Sequence, residues 1–211
     1  MSARTVGKYA AGSLVCLLFG YFAFVRGTRV PLLGLVDLGF HEFGHLVSYL
    51  LPVPDVVDAL MGSITQILVP LGLAVYFLGF RHDLLGGGVC LAWAGTSAQD
   101  VSVYVADAPY ERLPLIGGYH DWAAILGPEH FNALDSAGTV AAIVKSLGIA
   151  FLLAGLAVCV AGPFVEERKR RASEAAARAK AGPPAGGWAV VPPWEQEGSS
   201  WNSGGGRRDD A

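Results

Sequence analysis

Charge is scarce in this sequence: 16% of its 211 residues are Asp, Glu, Lys or Arg, while 53% are hydrophobic. Soluble globular chains carry about a quarter charged residues, so this composition, with its positive mean hydropathy, reads as an integral membrane protein. The formal net charge is only −3, and the partner expected is a lipid bilayer rather than nucleic acid. Cysteine is equally sparse. Cys16, Cys90 and Cys159 each fall inside an apolar stretch, which excludes a disulfide framework and a thiolate zinc site and leaves them as small buried apolar residues. A small-residue cleavage site is missing as well. The first apolar stretch, preceded by Arg4 and Lys8, ends in Phe24, Val25 and Arg26, so a retained helix is expected there and not a removed signal. No internal repeat of fold scale is present.

What the chain does have is long apolar runs. A hydrocarbon core of about 30 Å takes roughly 20 apolar residues per helix, and five windows qualify: Ala10–Val25, Val30–Leu51, Met61–Phe80, Leu84–Ala106 and Gly138–Phe164. The expected fold is therefore all-α, a polytopic bundle of about five transmembrane helices over residues 1–167. An outer loop at 108–137 and a C-terminal region at 168–211 complete the chain. Arg26, Arg29, Arg81 and the run Arg168–Arg171 share one side of such a bundle, and most acidic residues take the other. The positive-inside rule then puts the N-terminus outside and the C-terminus in the cytoplasm, in a plasma (inner) membrane. Beyond Arg171 an Ala-rich helical extension gives way to a Gly, Pro and Ser-rich tail containing Trp188, Trp194 and Trp201. Too little of that tail is apolar to fold alone, and disorder is expected.

One polar group interrupts the second window. In "GFHEFGHLVSYLLP", His41, Glu42 and His45 form H-E-x-x-H. Residues four apart share a helix face, so both imidazoles can reach one ion while Glu42 holds a water beside it. Bound zinc lowers the pKa of its water towards neutrality, and a neighbouring glutamate can take the proton and return it to a leaving amine. A coincidental pair of interior histidines is the alternative. Two imidazoles and a carboxylate within a bilayer cost several kcal/mol unless partnered, and a metal ion suits all three.

Residues Pro31–Asp107 resemble the site-2 protease family of intramembrane zinc metalloproteases, in which H-E-x-x-H lies on one transmembrane helix and an aspartate two spans later completes the site. The resemblance implies zinc ligation by His41 and His45, catalysis by Glu42, and a third ligand at Asp100 in "TSAQDVSVYVADA". Asp100 lacks that family's L-D-G setting, having Gln99 and Val101 as neighbours, and no PDZ module is present. The implied relation is to a divergent branch.

A catalytic zinc takes three protein ligands and a water, and the residues themselves offer two candidates for the third. Asp100 lies inside span four, where an unpaired carboxylate is expensive. His120 lies in "GGYHDWAAILG" on the outer loop, where Gly117 and Gly118 let the backbone fold back and the Ala, Ile, Leu run after Trp122 forms a short interfacial helix. Both stay open as metal ligands. Asp37, one turn before His41, is expected to orient that imidazole or to cap the helix. Gln66 is expected to glue helices together or to hold substrate or the metal-bound water, and Pro70 to kink span three. With a polar trail of Gln66, Asp100, His120 and Asp121 leading outward, the expected activity is zinc-dependent hydrolysis of a membrane or membrane-proximal polypeptide. The alternative is a non-catalytic metal-binding membrane protein, a pseudoprotease or a metal carrier.

Overall fold

The computed structural model describes residues 1–116 and 118–181, so the Gly, Pro and Ser-rich tail with its three tryptophans lies outside the described residues. Two compact units are distinguished, Met1–Arg168 and Lys169–Ala211. Every regular element among the described residues is helical: α1 (Ala3–Gly20), α2 (Leu33–Tyr49), α3 (Asp55–Val75), α4 (Leu84–Asp107), α5 (Asp121–Leu126) and α6 (Ala137–Ala181). Wider π turns at Tyr21–Val25 and Tyr76–Phe80 prolong α1 and α3.

The helix ends follow from local chemistry. Ser2 caps α1, its hydroxyl accepting from Thr5 N at 3.1 Å, and Asp83 caps α4 by accepting from Leu85 N and Gly86 N. Ahead of α2, Pro31 and a left-handed Leu32 (φ 63°) turn the chain. α3 starts six residues before the apolar window expected from Met61. Asp55 and Asp58 occupy its first turn, where the positive end of the helix dipole favours acidic side chains that hydropathy alone would assign to a loop. The same helix continues through Pro70.

Within Met1–Arg168, α2 packs on α3, α3 on α4, and α1 on α4, while α5 rests on α3 and α4. Small residues set the closest approaches. A Cβ on Gly155 of α6 would lie 2.4 Å from the Gly88 carbonyl oxygen of α4, and one on Gly95 would lie 2.6 Å from that of Gly148. Glycines seven apart on both helices thus bring the two backbones into contact.

Many large apolar side chains face outward, and several polar ones lie beside the apolar core. Leu14, Phe43, Leu68, Leu147, Leu153 and Phe164 are exposed, whereas Asp37, His41, Gln66, Ser97, Gln99 and Asp121 are buried. A bilayer would accept the first set, while the second set finds partners inside the bundle. Among the described residues three helical segments are long and apolar enough to cross a membrane, Ala3–Val25, Asp55–Phe80 and Leu134–Ala181, where five windows were expected. With 17 residues, α2 extends about 26 Å, somewhat less than the hydrocarbon thickness.

Candidate metal centre

His41 and His45 project from one face of α2, as their four-residue spacing requires, and the element that meets them is α5. Asp121, the first residue of α5, places its Oδ2 3.0 Å from His41 Nε2 and 3.3 Å from His45 Nε2, and the two Nε2 atoms are 3.3 Å apart. Ligand atoms bound about 2.0–2.1 Å from one ion at tetrahedral angles lie roughly 3.3 Å from one another. These three donors can therefore hold a metal ion.

Space for an ion is kept open from the α3 side. A Cβ on Gly62 would lie 2.6 Å from both His41 Nε2 and His45 Nε2, so any larger residue there would intrude on the donors. Gly44 serves the same approach from α2, since its Cβ would lie 2.3 Å from the Met61 carbonyl oxygen.

Each donor is held from behind. Gln66 on α3 faces His41 Nδ1 with its Oε1 at 3.3 Å, and its Nε2 donates to Asp100 Oδ2 at 3.0 Å. His45 Nδ1 lies 3.9 Å from Asp58 Oδ1, and the Ser48 hydroxyl donates to that same carboxylate. Outer carboxylates and amides of this kind fix imidazole orientation at metal sites. Around Asp121, the backbone N–H donates to Tyr104 Oη at 3.0 Å and the Tyr104 hydroxyl lies 3.3 Å from Oδ2. Trp122 Nε1 donates to Ser63 Oγ at 3.0 Å, tying α5 to α3. Burial pushes the Asp121 carboxyl upward, but hydrogen bonds from His41 and His45 overcome it and hold the group at about 2.

The structure brings His41, Glu42 and His45 together around one cavity of about 890 Å³, with Glu42 on its wall. Asp100 and His120, the expected third ligands, lie outside the donor group. Asp100 Oδ1 accepts from Arg29 Nε at 2.8 Å while Oδ2 accepts from Gln66, so the cost of a carboxylate inside α4 is met by a cation and an amide, not by an ion at the centre. His120 caps α5, its Nδ1 accepting from Ala123 N at 3.2 Å, and its ring stacks on Tyr104 at 4.4 Å between centroids. Its Nε2 faces Asp107 Oδ2 at 3.4 Å. The hydrogen bonds of Asp37 go to α4 and not to His41. It accepts from Trp93 Nε1 at 2.8 Å and Ser97 Oγ at 2.9 Å, joining α2 to α4.

Asp121 was the donor that sequence reasoning passed over. The usable signal was an acidic residue at the start of a short helix, one position from a histidine suited to capping. The short helix expected after Trp122 is present as α5, which begins at Asp121 and buries Ile125 and Leu126. Comparison of the chain with protein families, with curated proteins and with solved structures returns no match.

Proposed function

We propose that this chain is a membrane-embedded zinc metallopeptidase of the H-E-x-x-H type, resembling a divergent site-2 protease, with His41, His45 and Asp121 as ligands and Glu42 as general base. Its substrate is a membrane or membrane-proximal polypeptide. The observation that carries the reading is the position of Glu42 on the wall of the same cavity that the three donors line. A purely structural metal site needs no carboxylate there. Two imidazoles and one carboxylate are a donor set that zinc takes at catalytic sites.

When bound, zinc would supply a water acidified towards neutrality and a Lewis-acid grip on the scissile carbonyl. Glu42 would accept a proton from the attacking water on a carboxylate oxygen and deliver it to the departing amine nitrogen, while the water's hydroxyl goes to the carbonyl carbon, so one water is consumed and one amide becomes a carboxylate and an amine. Tyr104 on α4, accepting from Asp121 N, and Ser63 on α3, accepting from Trp122 Nε1, hold α5 and with it Asp121 in place. The polar lining contributed by Asp58, Gln66, Asp100 and Glu129 gives water a route through the bundle.

In this reading α1, α2, α3, α4 and α6 are the five spans, and Arg26, Arg29, Arg81 and the basic run after Phe164 face the cytoplasm of a plasma (inner) membrane. The test is Glu42→Gln in purified protein loaded with zinc. The variant should keep stoichiometric metal and lose cleavage of membrane peptides that wild type cuts. A wild-type preparation whose fragments are matched by E42Q would refute the peptidase reading and leave a metal-binding membrane protein.

A further inference from the structure

A chain of polar contacts runs from the α1–α2 connection to the metal centre. Arg29 Nε donates to Asp100 Oδ1 at 2.8 Å, Gln66 Nε2 donates to Asp100 Oδ2 at 3.0 Å, and Gln66 Oε1 lies 3.3 Å from His41 Nδ1. Four elements contribute, α2, α3, α4 and the connection before α2, so the chain is a product of packing. Gln66 is 3% exposed, and each end of its amide meets a protein partner.

We propose that Gln66 is a positioning residue that decides which nitrogen of His41 carries a proton, and that Asp100 and Arg29 hold Gln66 in the orientation that lets it do so. The amide has one donating end and one accepting end. A carboxylate paired with a guanidinium can only accept, so Asp100 draws the NH₂ end of Gln66 to itself. The carbonyl end is then left facing His41, where it can only accept, and Nδ1 must be the nitrogen that bears hydrogen. With Nδ1–H fixed by Gln66, Nε2 is the nitrogen whose electron pair an ion would take, displacing the proton that Nε2 donates to Asp121 Oδ2, 3.0 Å away, in the metal-free protein. With the amide reversed, Nδ1 would hold the electron pair and Nε2 the proton, and one of the three donors would point a hydrogen at the ion.

This assignment gives Asp100 a task that differs from ligation: it acts on the centre through two intervening side chains. It also accounts for Arg29. A carboxylate with one amide partner could rotate or take a proton and then donate, whereas a guanidinium on its other oxygen keeps both oxygens acceptors. The inference rests on the metal-centre reading for its purpose, but the position of the proton does not require a metal to be measured.

The experiment uses the full chain in detergent, labelled with ¹⁵N at histidine, together with Gln66→Leu, Gln66→Glu and Asp100→Leu. In metal-free wild type the His41 Nδ1 resonance should lie in the protonated range, and it should leave that range in Q66L. Q66E, which still offers an acceptor, should retain it. Zinc titration should show Q66L weakened by roughly 10–100-fold, as for other outer partners of metal-bound histidines, with Q66E closer to wild type and D100L weakened by less than Q66L. An unprotonated Nδ1 in wild type, or a Q66L protein that binds zinc within twofold of wild type, overturns the proposal. Loss of all zinc in D100L, equal to that in His41→Ala, would also overturn it by making Asp100 a ligand. A protonated Nδ1 in a wild type that binds no zinc would support the proton placement and overturn the metal reading instead.

Discussion

Gly62 offers the sharpest test of the metal centre, because a single methyl group separates the demands of the fold from those of the site. In Gly62→Ala the new Cβ would lie 2.6 Å from His41 Nε2, 2.6 Å from His45 Nε2 and 2.8 Å from His41 Cδ2. Non-bonded contacts of this kind settle near 3.5 Å, so both rings must retreat by about 0.9 Å. The atoms struck are ring tips that can swing aside, and packing strain of about 1–3 kcal/mol is offset by about 1 kcal/mol gained on replacing glycine in a helix interior. The fold should therefore change by at most about 2 kcal/mol. Metal sites, by contrast, tolerate about 0.2 Å in ligand distance, and both imidazoles move by several times that. Zinc affinity should fall at least 100-fold, about 2.7 kcal/mol. Gly72→Ala on the same helix is the control, since nothing lies within 4 Å of the Cβ it would add. It should keep metal and melt at or slightly above the wild-type temperature. The assay is metal content after dialysis against a weak chelator, paired with thermal unfolding in detergent. G62A protein that melts like wild type and retains one zinc per chain would refute the donor geometry.

Further outcomes follow from the same contacts. Asp121→Asn keeps the shape of a ligand but removes its charge, and it should lose far more metal than His120→Ala, whose ring caps α5 and stacks on Tyr104; metal analysis at fixed pH decides, and the reverse order would move the third ligand to His120. Metal occupancy should fall as pH drops through the histidine range, because ligand imidazoles must be neutral. Asp121 contributes nothing to that loss. Its carboxyl is held at about 2 in the folded protein, below the ordinary value, so its contribution is complete above about pH 4 and disappears only as the pH falls towards 2. In a pH titration D121N should release metal over the same histidine-driven transition, with its midpoint displaced to higher pH by the lost affinity. For topology, cysteines introduced at Ser2 and Ser173 should label differently with an impermeant reagent added outside, Ser2 reacting and Ser173 protected; equal labelling would refute five crossings.

The sequence by itself determined the helical, membrane-suited character of the chain and half of the centre, and for one reason: each is a matter of short-range order. Apolar runs the length of a bilayer demand helices whatever their neighbours. His41 and His45 meet because α-helical geometry places residues four apart on one face, and Glu42 follows them onto the cavity wall. The third donor had no such local rule. Asp121 reaches α2 across 80 residues of chain from His41, and what brings it there is the Trp122 bond to Ser63, the Tyr104 bonds around its carboxylate and the gap left by Gly62, all contacts between separate helices. The same cause moved Asp100. Alone in span four it reads as a carboxylate in want of a metal, since an unpaired charge in a bilayer is expensive, but whether an ion, a cation or an amide meets that expense depends on what packs beside it. Only the tertiary structure could decide, by setting Arg29 against one oxygen and Gln66 against the other.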